Sequence, residues 1–349
     1  MPHSAASAPA TPAVLLLLFN RAETTREVFA AIRQARPARL YLAADGPRPG
    51  HPTDAATCAA ARAEVAHIDW PCEVRTLFQT RNLNCGVGPA TAITWFFSQE
   101  EEGIILEDDC VPSPDFFRFC AELLPRYRHD TRVLHIGGNN FGSEARQPLA
   151  PGAESYYFSG QVNSWGWATW RRAWRLYDFE MARFDTLGPQ GKLRPHYSSW
   201  LEERYWRRQF AAVRRAASPP DVWDYQWHFT IAAHDGLAIM PAVNLVGNIG
   251  FGQHATHTHD AADDFAAVAT GALPTPLCHP AAVQRHWRRD RRRFREFLAG
   301  RLTAKVRRLF RGPGRATAPV TPAAAPVLPA PPPQLVPPLP APAESLAQV

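Results

Sequence analysis

The stretch GIILEDDCVPSPDFFRFC, residues 103–120, decides how the rest of the chain is read. It opens on an unbroken apolar run and then stops on three acids, Glu107, Asp108 and Asp109. A short continuous apolar run bounded by polar residues marks a strand buried on both faces, as in a parallel sheet. Three adjacent carboxylates at the end of such a strand repel one another and cost stability unless a cation or a basic group compensates. A hard divalent ion, Mn²⁺ or Mg²⁺, suits that role, because it favours carboxylate oxygen and is commonly held by one or two carboxylates plus substrate phosphates. The competing reading is an acidic cap for the helix that follows Pro114. Asp115 already serves that helix's first turn, so the metal reading leads.

Outward from this stretch the N-terminal side alternates. VLLLLF at 14–19, a helix over 23–35, RLYLAA at 39–44, a helix over 53–68, CEVRTLF at 72–78, a helix over 87–97 and GIILE at 103–107 follow one another as βαβαβαβ. Apolar strands alternating with helices predict an α/β fold: a Rossmann-like, mainly parallel sheet flanked by helices. On the C-terminal side one more strand is expected at 132–136 and a strand-like segment at 237–246, with an aromatic-rich middle between them. No internal repeat is visible. The expected organisation is a disordered N-terminus (1–12), one catalytic domain (13–279), a basic helical segment (280–311) and a tail (312–349). Twelve prolines in that tail point to disorder or polyproline structure.

Charge follows the same division. The chain carries a formal net charge of +6, but residues 281–315 hold thirteen Arg or Lys against Asp290 and Glu296, leaving residues 1–280 near −4. The basicity therefore belongs to the appended segment, where apolar residues from Trp287 to Phe310 recur at mainly helical intervals. That pattern suits placement on an anionic membrane surface or, equally, an apolar face packed back on the domain, rather than specific nucleic-acid binding. The segment is expected to lie outside the catalytic fold. Six cysteines show no CxxC and no regular spacing, which argues for reduced thiols rather than a disulfide framework or a zinc site. The apolar run 14–19 is too short for a membrane span and lacks a preceding basic region, so the expected address is cytoplasmic, peripheral at the membrane's inner face through the basic helix.

Ligands of a doubly wound sheet bind beyond the carboxyl ends of its strands. Every such exit here is polar: Asn20 and Arg21 after the first strand, Asp45 and Gly46 after the second, Arg81 and Asn82 with Asn84 and Gly86 after the third, and the acids after the fourth. Sugar rings stack on aromatic planes, so Trp165 and Trp167, beside a flexible Gly166, are candidates to shape a donor or acceptor pocket. Trp170 and Trp174, four apart, read as core positions of an amphipathic helix.

With these residues in hand the chain resembles the GT-A glycosyltransferases, specifically the branch of N-acetylglucosaminyltransferase I and bacterial nucleotide-diphospho-sugar transferases often described as hemolytic proteins. The resemblance is carried by ILEDDCVPSPDFFRFC, by RNLNCGVGPA before it, and by SWGWATWRRAW and PAVNLVGNIGFGQHATHTH after it, and spans roughly residues 14–259. It implies transfer of a sugar from a nucleotide-diphosphate donor, a UDP-sugar favoured, to a saccharide or glycoconjugate hydroxyl with inversion. It places Arg21 and Asp45 at the nucleotide, Glu107 and Asp108 at the ribose and donor sugar, and Asp109 on the metal. Asp224, in VWDYQW, matches the family's general base, although Tyr225 interrupts the family's acidic pair. A late histidine completes the metal site in several such enzymes, and His257 is preferred over His254. Rival readings are a metal-dependent phosphohydrolase, which would draw acids from several separated segments, and a relative that binds the nucleotide sugar without catalysis.

Overall fold

The computed structural model describes residues 10–216, 220–250 and 269–310, the side chains of 304–310 excepted. In chain order its elements are β1 (Val14–Leu18), α1 (Ala22–Ala35), β2 (Arg39–Ala44), α2 (Asp54–Glu64), β3 (Glu73–Phe78), α3 (Asn84–Gln99), β4 (Glu102–Glu107) and β5 (Cys110–Pro112). Then follow α4 (Pro114–Tyr127), β6 (Val133–Gly137), β7 (Tyr156–Ser159), β8 (Trp167–Trp170), α5 (Arg171–Trp174), α6 (Phe184–Leu187), α7 (Trp200–Arg215), α8 (Asp224–Ala233), β9 (Leu237–Pro241), β10 (Val246–Asn248) and α9 (Trp287–Phe310).

Eight strands form one mixed, mainly parallel sheet in the order β3-β2-β1-β4-β8-β6-β9-β7. The first four are parallel, as the βαβ alternation predicts, because each helical crossover returns the chain to the same end of the sheet. β8 then runs antiparallel to both β4 and β6, joining the N-terminal half to β6, β9 and β7. Side chains alternate across the sheet with a period of two. Val14, Leu16 and Leu18 of β1 therefore pack among Phe29, Phe116 and Leu123 of α1 and α4, while Leu15 and Leu17 face Phe96, Phe97 and Trp227 of α3 and α8. Each fully buried Phe or Leu contributes about 1.5–3 kcal/mol, which is why a strand buried on both faces is apolar at every position.

Several sequence expectations are corrected here. β3 is an edge strand, and Val74 and Phe78 stand 38% and 40% exposed. The helix expected over 53–68 spans Asp54–Glu64. The strand-like segment 237–246 is two strands in different sheets, because Asn244 accepts hydrogen bonds from the backbone N–H groups of Asn140 and Phe141 and turns the chain after Pro241. Trp170 ends a strand instead of sitting one turn from Trp174 on a helix, though both are core as expected.

The basic segment does not stand apart. At the start of α9, Asp290 is fully buried and forms an ion pair with Arg285 at 2.6 Å. It also accepts from Ser159 Oγ at 2.6 Å and Gly160 N at 3.0 Å, so the helix is bonded to the end of β7. Among the described residues no helix is long and apolar enough to cross a membrane.

Candidate functional site

The acids sit where β4 runs out. Leu17 of β1 lies in register with Glu107, so the loop after β1 arrives beside the acidic turn. Arg21, at the start of α1, forms ion pairs with Asp108 and, at 2.9 Å, with Asp109 Oδ2. Burial alone would lower the Arg21 guanidinium, but the two carboxylates hold it above its ordinary value. The backbone N–H of Phe19 donates to Asp108 Oδ2 at 3.4 Å. Asp108 is 3% exposed and Asp109 9%, so this is charge held in a largely dry turn.

Such a turn shifts its own titration. Burial first, then the charges of Asp109, Asp224 and Asp108, push the Glu107 carboxyl up to about 8, with Arg21 pulling the other way. Asp108 is pushed up to about 6 by burial, against the opposing effect of Arg21. Both shifts have the origin expected of crowded, desolvated carboxylates. They also bring in a distant residue: Asp224, at the start of α8, is close enough for its charge to act on Glu107. The Tyr225 N–H donates to Asp224 Oδ1 at 3.0 Å.

The second, two-stranded sheet closes the other side. β10 pairs antiparallel with β5, setting Asn248 opposite Cys110. Asn248 Nδ2 reaches Asp109 Oδ1 at 3.4 Å, and the Ile249 N–H donates to the Asp109 carbonyl at 2.9 Å. A Cβ on Gly250 would stand 2.1 Å from Asp109 Oδ2, so only glycine lets the chain cross the carboxylate here. The ligating atoms of Glu107, Asp109 and Cys110 lie within 4.8 Å of one another. The two carboxylates match a hard divalent ion. The fully buried Cys110 thiol is pushed well above its ordinary value by burial and then by Asp109 and Glu107, and its soft sulfur is a poor match for such an ion.

The remaining candidates divide. Asp45 and Asn82 come together: Asp45 accepts from Asn82 Nδ2 at 2.9 Å, Leu83 N at 2.9 Å and Gly46 N at 2.8 Å, so its carboxylate shapes the turn into α3. Burial pushes it up to about 6 against these donors. Asn20 Nδ2 reaches Asp54 Oδ1 at 3.5 Å, and Arg81 is exposed. Gly166 is held, not flexible. Its φ is +60°, its carbonyl accepts from Gly138 N at 2.8 Å, and it lies against Leu106 and Val246 next to the acidic turn. Trp165 is half-buried and meets Phe141 edge-on at 4.8 Å. Trp167 shapes no pocket: it is fully buried, stacked between His135 at 5.2 Å and Trp223 at 5.6 Å. A β-strand position facing inward, with aromatic neighbours on three other elements, decides its place. His257, with His254, lies outside the described residues.

Sequence reasoning did not single out Asn248 and Gly250, which border Asp109, or Asp221, whose Oδ1 accepts from Cys85 N at 2.9 Å at the start of α3. Only the glycine-rich spacing of VGNIGFG gave a signal, as a backbone that must approach something closely.

No family model and no curated protein matches the chain. Among solved structures it is similar to HddC from Yersinia pseudotuberculosis, 10% identical over 46% of this chain and 77% of that one, with a TM-score of 0.29. It is also similar to the apo form of mouse xyloside xylosyltransferase 1, 12% identical over 65% of this chain and 83% of that one, with a TM-score of 0.34. Both superpositions are loose.

Proposed function

We propose that this chain is a GT-A glycosyltransferase that moves a sugar from a nucleotide-diphosphate donor, a UDP-sugar favoured, to a saccharide or glycoconjugate hydroxyl with inversion. One observation carries the reading: Arg21, Glu107, Asp108 and Asp109 gather at the carboxyl ends of β1 and β4. Anionic leaving groups and hydroxyl nucleophiles need those two kinds of help, a cationic partner and a base. Asp109 and Glu107 would hold Mn²⁺ or Mg²⁺. When bound, the ion supplies Lewis-acid stabilisation to the departing diphosphate.

The chain's own groups do the rest. Arg21 keeps Asp108 and Asp109 from repelling each other and fixes both carboxylates in orientation. Asn248 steadies Asp109 from the opposite side. Asp224 takes the proton of the incoming hydroxyl, and β5 with β10 shields the turn from water.

Thermal melting with UDP, GDP, CDP and dTDP, each with and without Mn²⁺, tests the reading. One nucleotide is expected to raise the melting temperature only with the ion. At about a hundredfold excess over its Kd, binding adds about 2.7 kcal/mol. Asp109→Ala is expected to remove the ion-dependent part while the unliganded protein melts as before. An ion-dependent shift that survives in Asp109→Ala refutes the metal assignment, and no shift with any nucleotide refutes the donor class.

A further inference from the structure

Among the described residues seven large apolar side chains are exposed, and four of them, Trp200, Leu201, Trp287 and Leu302, lie on α7 and α9. These helices run side by side in the same direction: Arg291 Nη2 donates to the Ser198 carbonyl just before α7, Tyr205 packs against Phe294 and Phe297, and Arg301 Nη1 donates to Tyr205 Oη. Both are anchored to one residue below them. Gln161 Nε2 donates to Glu202 Oε1 of α7 at 2.7 Å and to the Asp290 carbonyl of α9 at 3.1 Å.

Helical geometry then fixes what faces outward. At 100° per residue, the positions opposite Glu202 are Trp200 and Arg204, and those opposite Asp290 are Arg288, Arg295 and Arg292, the last ion-paired with Glu144. All five are exposed. The two outer faces thus make one surface of arginines edged by Trp200, Leu201, Trp287 and Leu302, and α9 as a whole holds ten basic residues against two acidic ones. Guanidinium groups alone would suit any polyanion. Exposed tryptophan and leucine beside them add side chains that suit burial at the headgroup boundary of a bilayer.

We propose that α7 and α9 together form a docking face for a bilayer containing anionic lipid. Arginines pair with headgroup phosphates while Trp200, Trp287 and Leu302 enter the interface. The inference is independent of the transferase reading, since none of these residues belongs to the acidic turn.

Co-sedimentation of the full chain with vesicles of equal parts phosphatidylglycerol and phosphatidylcholine tests it. The chain is expected to bind these vesicles, to release progressively with salt, and to leave pure phosphatidylcholine vesicles unbound. Arg288→Gln combined with Arg295→Gln is expected to weaken binding by about thirtyfold, from the contribution of each basic residue near a headgroup surface. Trp200→Ser combined with Leu302→Ser is expected to weaken the part that resists salt. Both variants should keep the wild-type melting temperature. Absence of binding to anionic vesicles, equal binding to neutral ones, or unchanged binding in the arginine variant overturns the proposal. Tighter binding to duplex DNA, lost with the arginines and kept without Trp200 and Leu302, overturns it in favour of nucleic acid.

Discussion

Asp224 sits at the first position of α8, its carboxylate held by the Tyr225 N–H. In the proposed inverting transfer, its role as base is separable from donor binding. Asp224→Asn is expected to lower turnover by about a hundredfold or more, the contribution of a positioned base, while nucleotide-induced stabilisation is retained. Turnover near wild type would move the base elsewhere. The acids and Arg21 were legible at this scale because unlike residue types at a strand end have few structural uses. Trp167 was not, because a tryptophan in a glycine-flanked motif looks the same in sequence whether it lines a pocket or fills a core. What distinguishes the two is the approach of Trp223, Trp227 and His135 from other elements. Asn248 stayed hidden for a similar reason, since its proximity to Asp109 depends on a pairing of β5 with β10 between segments more than a hundred residues apart.

At the scale of elements, the N-terminal βα units were readable because continuous apolar strands and amphipathic helices differ in period. β7 and β8 escaped notice, being four residues each and aromatic on both faces, so neither period could develop. Of the two placements the sequence leaves open for the basic helix, one acid among its many bases marks contact with the domain. Asp290 is that acid, and through Arg285, Ser159 and Gly160 it ties α9 to the sheet. Removing one partner of a buried pair leaves the other charge uncompensated. Asp290→Ala is therefore expected to cost about 3–5 kcal/mol of stability in chemical denaturation. A loss below about 1 kcal/mol would mean that α9 rests on the body only loosely.

For the whole molecule, the aromatic layer beneath the site sets its response to acid. In His135, Nε2 meets the Asn163 carbonyl at 3.0 Å and Nδ1 accepts from Trp227 Nε1–H at 3.2 Å, so the ring is a neutral tautomer with its proton on Nε2. Burial pushes His135 down to about 3 from its ordinary 6.5, and His228 is also held well below. Between those two values the unfolded chain binds a proton that the folded chain refuses. Stability owed to His135 is thus complete above about pH 6.5 and is lost as pH falls toward 3, by on the order of 5 kcal/mol in full. Comparing wild type with His135→Gln by denaturation across this range isolates the effect, because the raised carboxylates of the site contribute to both proteins and cancel. Parallel curves for the two would refute it. The position of Arg21 bears on how the molecule comes into being. A chain made from its N-terminus presents Glu107, Asp108 and Asp109 well before Asp224, Asn248 or Gly250 exists, and through that interval the acids have no help from the second half. Arg21 is already there, eighty-seven residues upstream of Asp108 and delivered beside it by the pairing of β1 with β4. The nascent N-terminal half thereby carries its own counter-charge, and the acidic turn is partly compensated by the portion of the chain that is synthesised first.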